Sequence, residues 1–254
     1  MIPRLFHGGA LAANTTVALT QDQAHYLRNV LRREAGAEMK LFNAGDGEYS
    51  ARLAEVGKKG AAASIESLLR APEAESDIHL LIAPVKRAAM ELILQKGTEL
   101  GASAFLPVMT DRTNAEKLRI DRLQAIALEA AEQCGRLSVP EVRAPSKLAQ
   151  MLLHWEGSRP LYYCDEAGDD PSKEWGGPDG RAAPLVDVAR ETGSGPAAIL
   201  IGPEGGFTPE ERRWLRALPY VRAVSLGPRI LRADTAAIVA LALWQAAAGD
   251  FRRL

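Results

Sequence analysis

Beyond residue 77, short apolar runs alternate with longer segments of helical periodicity, and this alternation limits the possible folds more than any other feature of the chain. The apolar runs lie at residues 78–85, 104–109, 160–164, 197–201 and 221–225. The segments of helical periodicity lie at residues 88–102, 115–136 and 234–249. Strands that are separated by helices pair in parallel, with the helices covering the faces of the sheet. The sequence therefore predicts an α/β domain built on a parallel sheet.

One long segment interrupts this alternation. Residues 165–195 are rich in glycine, proline and acidic side chains. A connection of this length is usually a functional lid or a disordered segment. We therefore expect most of residues 165–195 to be irregular.

The first 70 residues have a different character. Residues 38–56 predict two strands around a turn at Asn43–Gly47, since asparagine and glycine tolerate the backbone conformations of tight turns. Residues 21–34 predict one helix. The apolar stripe of this helix consists of Ala24, Leu27, Val30 and Leu31. Together these elements predict a compact β-rich module.

A polar segment at residues 70–77 contains a proline, has no periodicity and predicts a linker. We therefore expect a small β-rich domain at residues 1–72 and the α/β domain at residues 73–254. The whole chain has a net charge of −1, but residues 1–70 carry nine Lys or Arg against seven Asp or Glu. This weak asymmetry favours the first domain for any contact with nucleic acid.

The cysteines, the histidines and the apolar runs indicate the compartment of the protein and whether it binds metal or membrane. The two cysteines, Cys134 and Cys164, are far apart, which disfavours a disulfide framework and suits a reducing compartment. No spacing of Cys and His matches a metal site. The start of the chain lacks the apolar core of a signal peptide, and no run reaches the roughly 20 apolar residues that cross a bilayer. We expect a cytoplasmic protein with no membrane or metal partner.

A glycine-rich turn follows the predicted strand at residues 197–201. Residues 202–206 read Gly-Pro-Glu-Gly-Gly, and a helix start follows at once. Thr208 predicts the N-cap of this helix, Pro209 its first position and Glu211 the acidic partner of a capping box.

The next unit repeats this pattern. The strand at residues 221–225 is followed by a loop at 226–233 and then by a helix, for which Asp234 or Thr235 predicts the cap and Gly249 the end. Ligands of open α/β sheets bind outside the carboxyl ends of the strands, where both loops would lie. Peptide groups without side chains can bond directly to a flat, amide-bearing ligand such as adenine. The alternative is that both loops bind no ligand and are only tight connections between a strand and a helix.

Phosphate is a poor candidate for this ligand. Neither turn has the spacing of a phosphate-binding loop. Glu204, in the middle of the first turn, would repel a phosphate but would tolerate a cation. The residues thus favour a cationic ligand.

The motifs "LIGPEGGFTPEE" and "SLGPRILRADTAAIVAL" together resemble the paired signature of bacterial small-subunit ribosomal RNA (uracil-N3)-methyltransferases, which belong to the knotted SPOUT class. Further pieces agree in order: "HYLRNVLR", "LFNAGDGEY", "QKGTELGA" and "EAAEQCGR". The resemblance covers nearly the whole chain except most of residues 165–195. It implies a PUA-like N-terminal barrel, a SPOUT-like methyltransferase domain with a trefoil knot, a homodimer, S-adenosylmethionine as cofactor and 16S ribosomal RNA of the small subunit as substrate.

By position, the resemblance implies a backbone-rich cofactor site. The lining residues would be Ile201, Gly202, Pro203, Gly205, Gly206, Leu226, Gly227, Ile230 and Leu231. The family's pattern usually continues Arg-Thr-Glu-Thr-Ala, whereas this chain has Ala233 and Asp234 at the second and third of those positions. A missing hydroxyl and a shorter carboxylate weaken any role given to these two residues.

Methylation of uracil N3 must remove a proton and leaves negative charge on the ring oxygens. We expect Arg232 to stabilise that charge. Asp234 or Glu204 would accept the proton or orient the group that does. The structural alternatives are a plain N-cap for Asp234 and surface ion pairs for Arg229 and Arg232.

Arginines are the candidates for contacts with RNA phosphates. The candidates are Arg4, Arg28, Arg32, Arg33 and Arg136. The alternative for those on the helix at residues 21–34 is a solvated face. Trp175 could stack on a base or pack within its own loop. The apolar segment 236–244 fits a core helix or a dimer interface.

Two other functions stay open at this point. A ribosome-assembly factor without catalysis would keep the basic N-terminal module but would not bind S-adenosylmethionine tightly. A SPOUT methyltransferase that acts on transfer RNA would have the same two loops. An ordinary nucleotide-binding enzyme would need a phosphate loop, which the sequence lacks.

Overall fold

The computed structural model describes residues 2–57, 60–114, 117–165, 172 and 180–252. Two compact units account for the chain. The first consists of Met1–Ala74 and Ala131–Val139, and the second of Glu75–Ala130 and Pro140–Leu254. Residues 131–139 therefore group with the β-rich unit, although a boundary between residues 72 and 73 assigns them to the other domain.

The first unit is built on a mixed sheet. Its described strands are β1 (Arg4–Phe6), β2 (Thr16–Leu19), β3 (Glu38–Asn43), β4 (Gly47–Gly57) and β5 (Gly60–Arg70). They lie in the order β1-β3-β4-β5-β2, in which β1 and β3 are parallel and the other neighbours antiparallel. Apolar side chains such as Met39, Leu41 and Leu53 form its core. The prediction of a β-rich module is confirmed.

The predicted turn at Asn43–Gly47 joins β3 to β4. The Asp46 N–H donates to Asn43 Oδ1 at 2.6 Å, and Asn43 Nδ2 donates to Asp46 Oδ2 at 2.9 Å. Gly47 has a φ of +94°, and a Cβ there would lie 2.1 Å from the Arg70 carbonyl oxygen. Glycine is therefore required at this position.

Residues 21–34 form a shorter and less regular helix than expected. α1 (Gln21–His25) is capped by Thr20 and continues as a π-helical turn over Tyr26–Val30. A π turn holds more residues than an α turn, so the side chains beyond it are rotated about the helix axis. Val30, the last residue of this turn, is 60% exposed, whereas Leu27 of the same apolar stripe is buried.

The second unit is built on a parallel sheet. Its described strands are β6 (Ile78–Ile82), β7 (Ala104–Met109), β8 (Glu141–Val142), β9 (Ser146–Lys147), β10 (Leu161–Cys164), β11 (Ala183–Pro184), β12 (Ala197–Ile201) and β13 (Val221–Ser225). The order is β11-β13-β10-β12-β6-β7-β8, with β9 also paired to β7. All of these pairs are parallel, which confirms the predicted α/β sheet.

Helices connect these strands. They are α2 (Arg87–Glu99), α3 (Ile120–Cys134), α4 (Leu148–Leu153), α5 (Leu185–Thr192), α6 (Pro209–Ala217) and α7 (Ala233–Ala248). A 3-10 turn over Asp250–Arg252 follows α7. Among the described residues, no helix has the length and apolar character that a membrane span requires.

Helix α5 and the short strand β11 are the regular elements among the described residues of 165–195. The eight residues of α5 lie in a segment that we expected to be mostly irregular. Leu185 and Ala189, one turn apart, are fully buried, and Gly193 ends the helix with a φ of +82°. Two buried residues in one short helix give too little periodicity to stand out beside the many glycines and prolines.

Strand β12 lies at the centre of the packing. All five of its residues are buried. Ile199 and Ile201 belong to one apolar cluster, whereas Ala198 and Leu200 belong to a second. Because successive side chains of a strand point to opposite faces, both faces of the sheet are covered at β12.

Candidate active site

Two loops leave the carboxyl ends of β12 and β13. These strands flank β10, with Leu200 paired to Tyr163 and Val224 paired to Cys164. The first loop, residues 202–208, leads to α6, and the second, residues 226–232, leads to α7. Because the three strands are parallel, both loops emerge at one edge of the sheet, as predicted.

The first loop is tightly folded. The Gly206 N–H donates to the Pro203 carbonyl at 2.9 Å, and Gly206 has a φ of +65°. A Cβ on Gly202 would lie 2.5 Å from the ring of Phe207. Phe207 is buried and meets Tyr163 edge-on, with the ring centroids 4.9 Å apart. Glycines at 202 and 206 therefore let the loop turn back onto its own aromatic anchor.

The predicted capping box of α6 is confirmed. The Glu211 N–H donates to Thr208 Oγ1 at 3.1 Å, and the Thr208 N–H donates to Glu211 Oε2 at 2.9 Å. Pro209 is the first helical residue. Both bonds satisfy N–H groups that the helix start would otherwise leave unpaired.

The second loop is more open. The Gly227 N–H donates to Ser225 Oγ at 3.0 Å, and Gly227 has a φ of +108°. A Cβ on Gly227 would meet no described atom within 4 Å. Leu226 and Leu231 are half-buried against the larger core cluster, whereas Ile230 is 87% exposed. Only part of this loop therefore packs into the domain.

The predicted cap of α7 is wrong. The N-cap is Arg232, and the Ala236 N–H donates to its carbonyl at 2.7 Å as the first helical bond. The carboxylate of Asp234 accepts the Thr235 N–H at 2.7 Å from within the first turn. The helix therefore starts before either predicted cap residue. Gly249 ends α7 as predicted.

The three candidate catalytic residues lie on these two loops. Glu204 is exposed in the first loop, Arg232 is exposed at the end of the second, and Asp234 is half-buried in the first turn of α7. The strand order thus brings the elements that carry them to one sheet edge.

A buried ion cluster that the sequence analysis missed anchors α6. Asp165 follows β10 directly, and its side chain is fully buried. Arg212 donates to its two carboxylate oxygens at 2.9 and 3.0 Å, and Arg216, one turn later on α6, donates at 3.0 and 2.7 Å. Burial lowers the pKa of Arg212, but the bonds and charge of Asp165 outweigh it and raise that pKa above its usual value.

Comparison with known proteins decides the family. Residues 72–245 match a family described as the RNA methyltransferase domain, and residues 19–66 match the RNA methyltransferase PUA domain. The chain belongs to the RNA methyltransferase family. A relative from Synechocystis, named ribosomal RNA small subunit methyltransferase E, is 35% identical over 89% of this chain and 72% of its own length. The Bacillus subtilis protein of the same name is 32% identical over 89% and 88%.

Solved structures extend this comparison to the fold. A methyltransferase from Legionella pneumophila in complex with S-adenosylmethionine is 30% identical, with a TM-score of 0.79, covering 98% of this chain and 99% of that one. Ribosomal RNA small subunit methyltransferase E from Neisseria gonorrhoeae, bound to S-adenosylmethionine, is 28% identical, with a TM-score of 0.78, over 99% and 100%. The predicted SPOUT-like α/β domain with a PUA-like N-terminal domain is confirmed. The trefoil knot stays a prediction.

The PUA-like unit of this methyltransferase carries the candidate RNA contacts. Arg28 and Arg32 are exposed, and Arg33 is half-buried. Arg32 has a φ of +51°, which is uncommon outside glycine and asparagine. Arg136 donates to Ser138 Oγ at 2.7 Å. Trp175 lies outside the described residues.

Arg4 has a structural role instead. Its Nε donates to Glu48 at 2.6 Å, Nη1 to the Ala131 carbonyl at 2.9 Å and Nη2 to the Arg136 carbonyl at 2.7 Å. Its guanidinium also stacks 3.5 Å from the centre of the Phe42 ring. With each nitrogen engaged inside the unit and a side chain only 12% exposed, Arg4 is not placed to bind phosphate. Its predicted RNA contact is therefore not supported.

Residues of the motif "EAAEQCGR" make structural contacts within the first unit, as the bonds of Arg4 already show. Glu132 Oε1 accepts the Phe6 N–H at 3.0 Å, and the Gly135 carbonyl accepts a bond from Arg70 at 2.6 Å. These residues all belong to the first unit. The carbonyls at the end of α3, which a helix leaves unpaired, are bonded there by arginines.

Proposed function

We propose that this protein transfers a methyl group from S-adenosylmethionine to N3 of a uridine in 16S ribosomal RNA of the small subunit. The observation that carries the proposal is the pair of glycine-rich loops at one edge of a parallel sheet, in a chain of the RNA methyltransferase family. Relatives named for small-subunit ribosomal RNA and two relatives bound to S-adenosylmethionine support the substrate and the cofactor.

The cofactor site is proposed on the two loops. Its lining residues are Ile201, Gly202, Pro203, Gly205, Gly206, Leu226, Gly227, Ile230 and Leu231. Open space beside Gly227 and the exposed backbone of Gly205 fit a flat ligand that bonds to peptide groups. The exposed carboxylate of Glu204 suits a cation. When bound, the cofactor supplies an activated methyl group on a positively charged sulfur.

The chain's own residues would position the base and stabilise charge. Arg232 is proposed to donate to the ring oxygens that become negative as uracil N3 loses its proton. Asp234 or Glu204 is proposed to accept that proton or to orient the group that does. Asp234 is held through Oδ1 by the Thr235 N–H, which fixes its orientation.

The RNA is proposed to bind through Arg28, Arg32, Arg33 and Arg136. Phosphate contacts by these arginines make binding salt-dependent. The target uridine must be unpaired or flipped out of a stack to reach the loops.

We place this activity in the cytoplasm, and we propose a homodimer that uses the apolar helix α7, in which Val239 and Leu243 are only half-buried. Light scattering that gives a monomer mass at micromolar concentration would contradict the dimer.

Calorimetric titration with S-adenosylmethionine tests the proposal first, with ATP and NAD as controls. We expect heat of binding from S-adenosylmethionine alone. Transfer of labelled methyl groups to small ribosomal subunits, free 16S RNA and transfer RNA then tests the substrate. Methylation of transfer RNA without methylation of either ribosomal substrate would refute the proposed target. RNA binding with no cofactor heat would favour a non-catalytic assembly factor.

A further inference from the structure

Contacts from a third loop, residues 110–113 after β7, reach the first glycine-rich loop. Thr110 and Thr113 brace this third loop internally, since the Thr110 N–H donates to Thr113 Oγ1 at 2.9 Å and the two hydroxyls lie 2.9 Å apart. Strand β6 separates β7 from β12 in the sheet. Strand pairing between β7 and β12 therefore does not explain the contact between the loops that follow them.

The first connection is made by Arg112. Its Nη1 donates to the Gly205 carbonyl at 3.0 Å and more weakly to the Phe207 carbonyl at 3.4 Å. These two carbonyls flank Gly206, the residue with the left-handed backbone. A single guanidinium group thus bonds on both sides of the residue where the loop turns.

The second connection is made by Glu211. Its Oε2 accepts the Thr208 N–H within the capping box, and its Oε1 accepts the Asp111 N–H at 2.9 Å. Glu211 is only 9% exposed. One buried carboxylate therefore joins the third loop to the end of the glycine-rich loop.

We propose that Arg112 is a positioning residue that holds the glycine-rich loop in the conformation that binds S-adenosylmethionine. Adjacent glycines have more backbone freedom to lose than other residues, and ordering them upon binding weakens affinity. Arg112 fixes the carbonyls on either side of Gly206 before the cofactor arrives, while Glu211 fixes the loop's end. This inference rests on the proposed function, because it assigns that loop to the cofactor.

The test compares Arg112→Ala and Arg112→Lys with a control, Arg213→Ala. Arg213 lies on the neighbouring helix α6, is exposed, and pairs with Glu210 one turn away. For Arg112→Ala we expect the Kd and the KM for S-adenosylmethionine to rise about five- to tenfold, the range for losing charge-assisted bonds at a partly solvated site. The kcat at saturating cofactor should change less than twofold. Lysine can restore one donor and should recover part of the affinity, and Arg213→Ala should match the wild type.

Hydrogen exchange without cofactor separates this inference from the proposed function. We expect the amides of residues 204–208 to exchange faster in Arg112→Ala than in the wild type or in Arg213→Ala. An unchanged Kd together with unchanged exchange would overturn the inference. A fall in kcat with unchanged KM would also overturn it, because Arg112 would then act in the chemical step. If the wild type binds no S-adenosylmethionine, the proposed function and the cofactor role fail together, while faster exchange would still show that Arg112 holds the loop.

Discussion

The two glycine-rich loops follow the same sequence pattern but are supported very differently. Residues 202–208 are held by a capping box, a buried phenylalanine and bonds from Arg112, and the Asp111 N–H donates to the capping-box carboxylate of Glu211. Residues 226–232 have one described bond to a side chain, in which the Gly227 N–H donates to Ser225 Oγ, and the apolar side chain of Ile230 is exposed to solvent. The first loop is therefore held by many contacts within the protein, whereas the second loop has few.

This difference shows that glycine content alone does not predict how many contacts hold a loop in place. Both loops contain a glycine with positive φ, Gly206 in the first and Gly227 in the second. What distinguishes them is support from distant parts of the chain: Arg112 and Asp165 lie 93 and 47 residues from their bonding partners Gly205 and Arg212. We therefore expect substitutions in the packing of the first loop to lower stability, and substitutions of exposed side chains in the second loop to leave stability nearly unchanged.

Asp165→Asn should have the largest effect. It leaves the guanidinium groups of Arg212 and Arg216 without a carboxylate, and breaking a buried ion pair costs about 3–5 kcal/mol. Urea denaturation would measure this loss of unfolding free energy. Asp187→Asn is the control, because its ion pair with Arg190 is exposed and long, at 4.0 Å. A loss below about 1 kcal/mol for Asp165→Asn would mean that the cluster does not anchor α6.

Arg232→Ala should come next and should affect turnover. Removal of one donor that stabilises transition-state charge lowers kcat about 100-fold. Affinity for S-adenosylmethionine should stay within about twofold. The melting temperature should be nearly unchanged, because the exposed Arg232 caps α7 through its backbone rather than through a described side-chain bond. Arg229→Ala in the same loop is the matched comparison. Near-normal turnover of Arg232→Ala would remove this residue from the mechanism.

Gly202→Ala should destabilise the first loop. The new Cβ would lie 2.5 Å from the ring of the buried Phe207, and such overpacking costs about 1–3 kcal/mol. Gly205→Ala is the control, since its Cβ would be 3.6 Å from the nearest described atom, on Arg112. Thermal melts would rank the two variants. Equal melting temperatures would show that the loop adapts more easily than its packing implies.

Ile230→Ala should have the smallest effect on stability. An exposed side chain buries little area within the domain, so unfolding free energy should change by less than about 0.5 kcal/mol. Affinity for S-adenosylmethionine should nevertheless fall if Ile230 lines the site as proposed. Melting and calorimetry on one preparation would compare the two quantities. A stability loss above about 1 kcal/mol would show that Ile230 is buried in the protein in solution.

Elements that depend on local hydrogen bonds or on the spacing of apolar residues could be predicted from the sequence. Strand β12 follows from five consecutive apolar residues, and the capping box follows from Thr208 and Glu211 three positions apart. The same local argument gave the wrong cap for α7, because Asp234 can bond its neighbour's N–H from inside the first turn. It also missed the π-helical turn at Tyr26–Val30, which the apolar spacing does not reveal.

The ion cluster and the Arg112 contacts could not be predicted in this way. Arg212 and Arg216 show as charges on one side of a helix, a pattern that normally means a solvated face. Their partner follows a different strand, and only the strand order brings β10 beside β12 and α6. For the site, the two loops and the capping box were therefore predictable from sequence, but the distant residues Arg112 and Asp165 were not.

The position of β12 has a consequence for synthesis on the ribosome. Strand β6 pairs on one side with β7, which follows it closely in the sequence. On its other side it pairs with β12, in which Ala197 lies opposite Ile78 although it is about 120 residues further along the chain. Until β12 emerges, one edge of β6 has no native neighbour, and an unpaired apolar strand edge promotes aggregation. The pairing of β6 with β12 also joins residues that are far apart in the sequence, and such contacts slow folding. A chain truncated before residue 197 should therefore need chaperones that the full-length chain can do without.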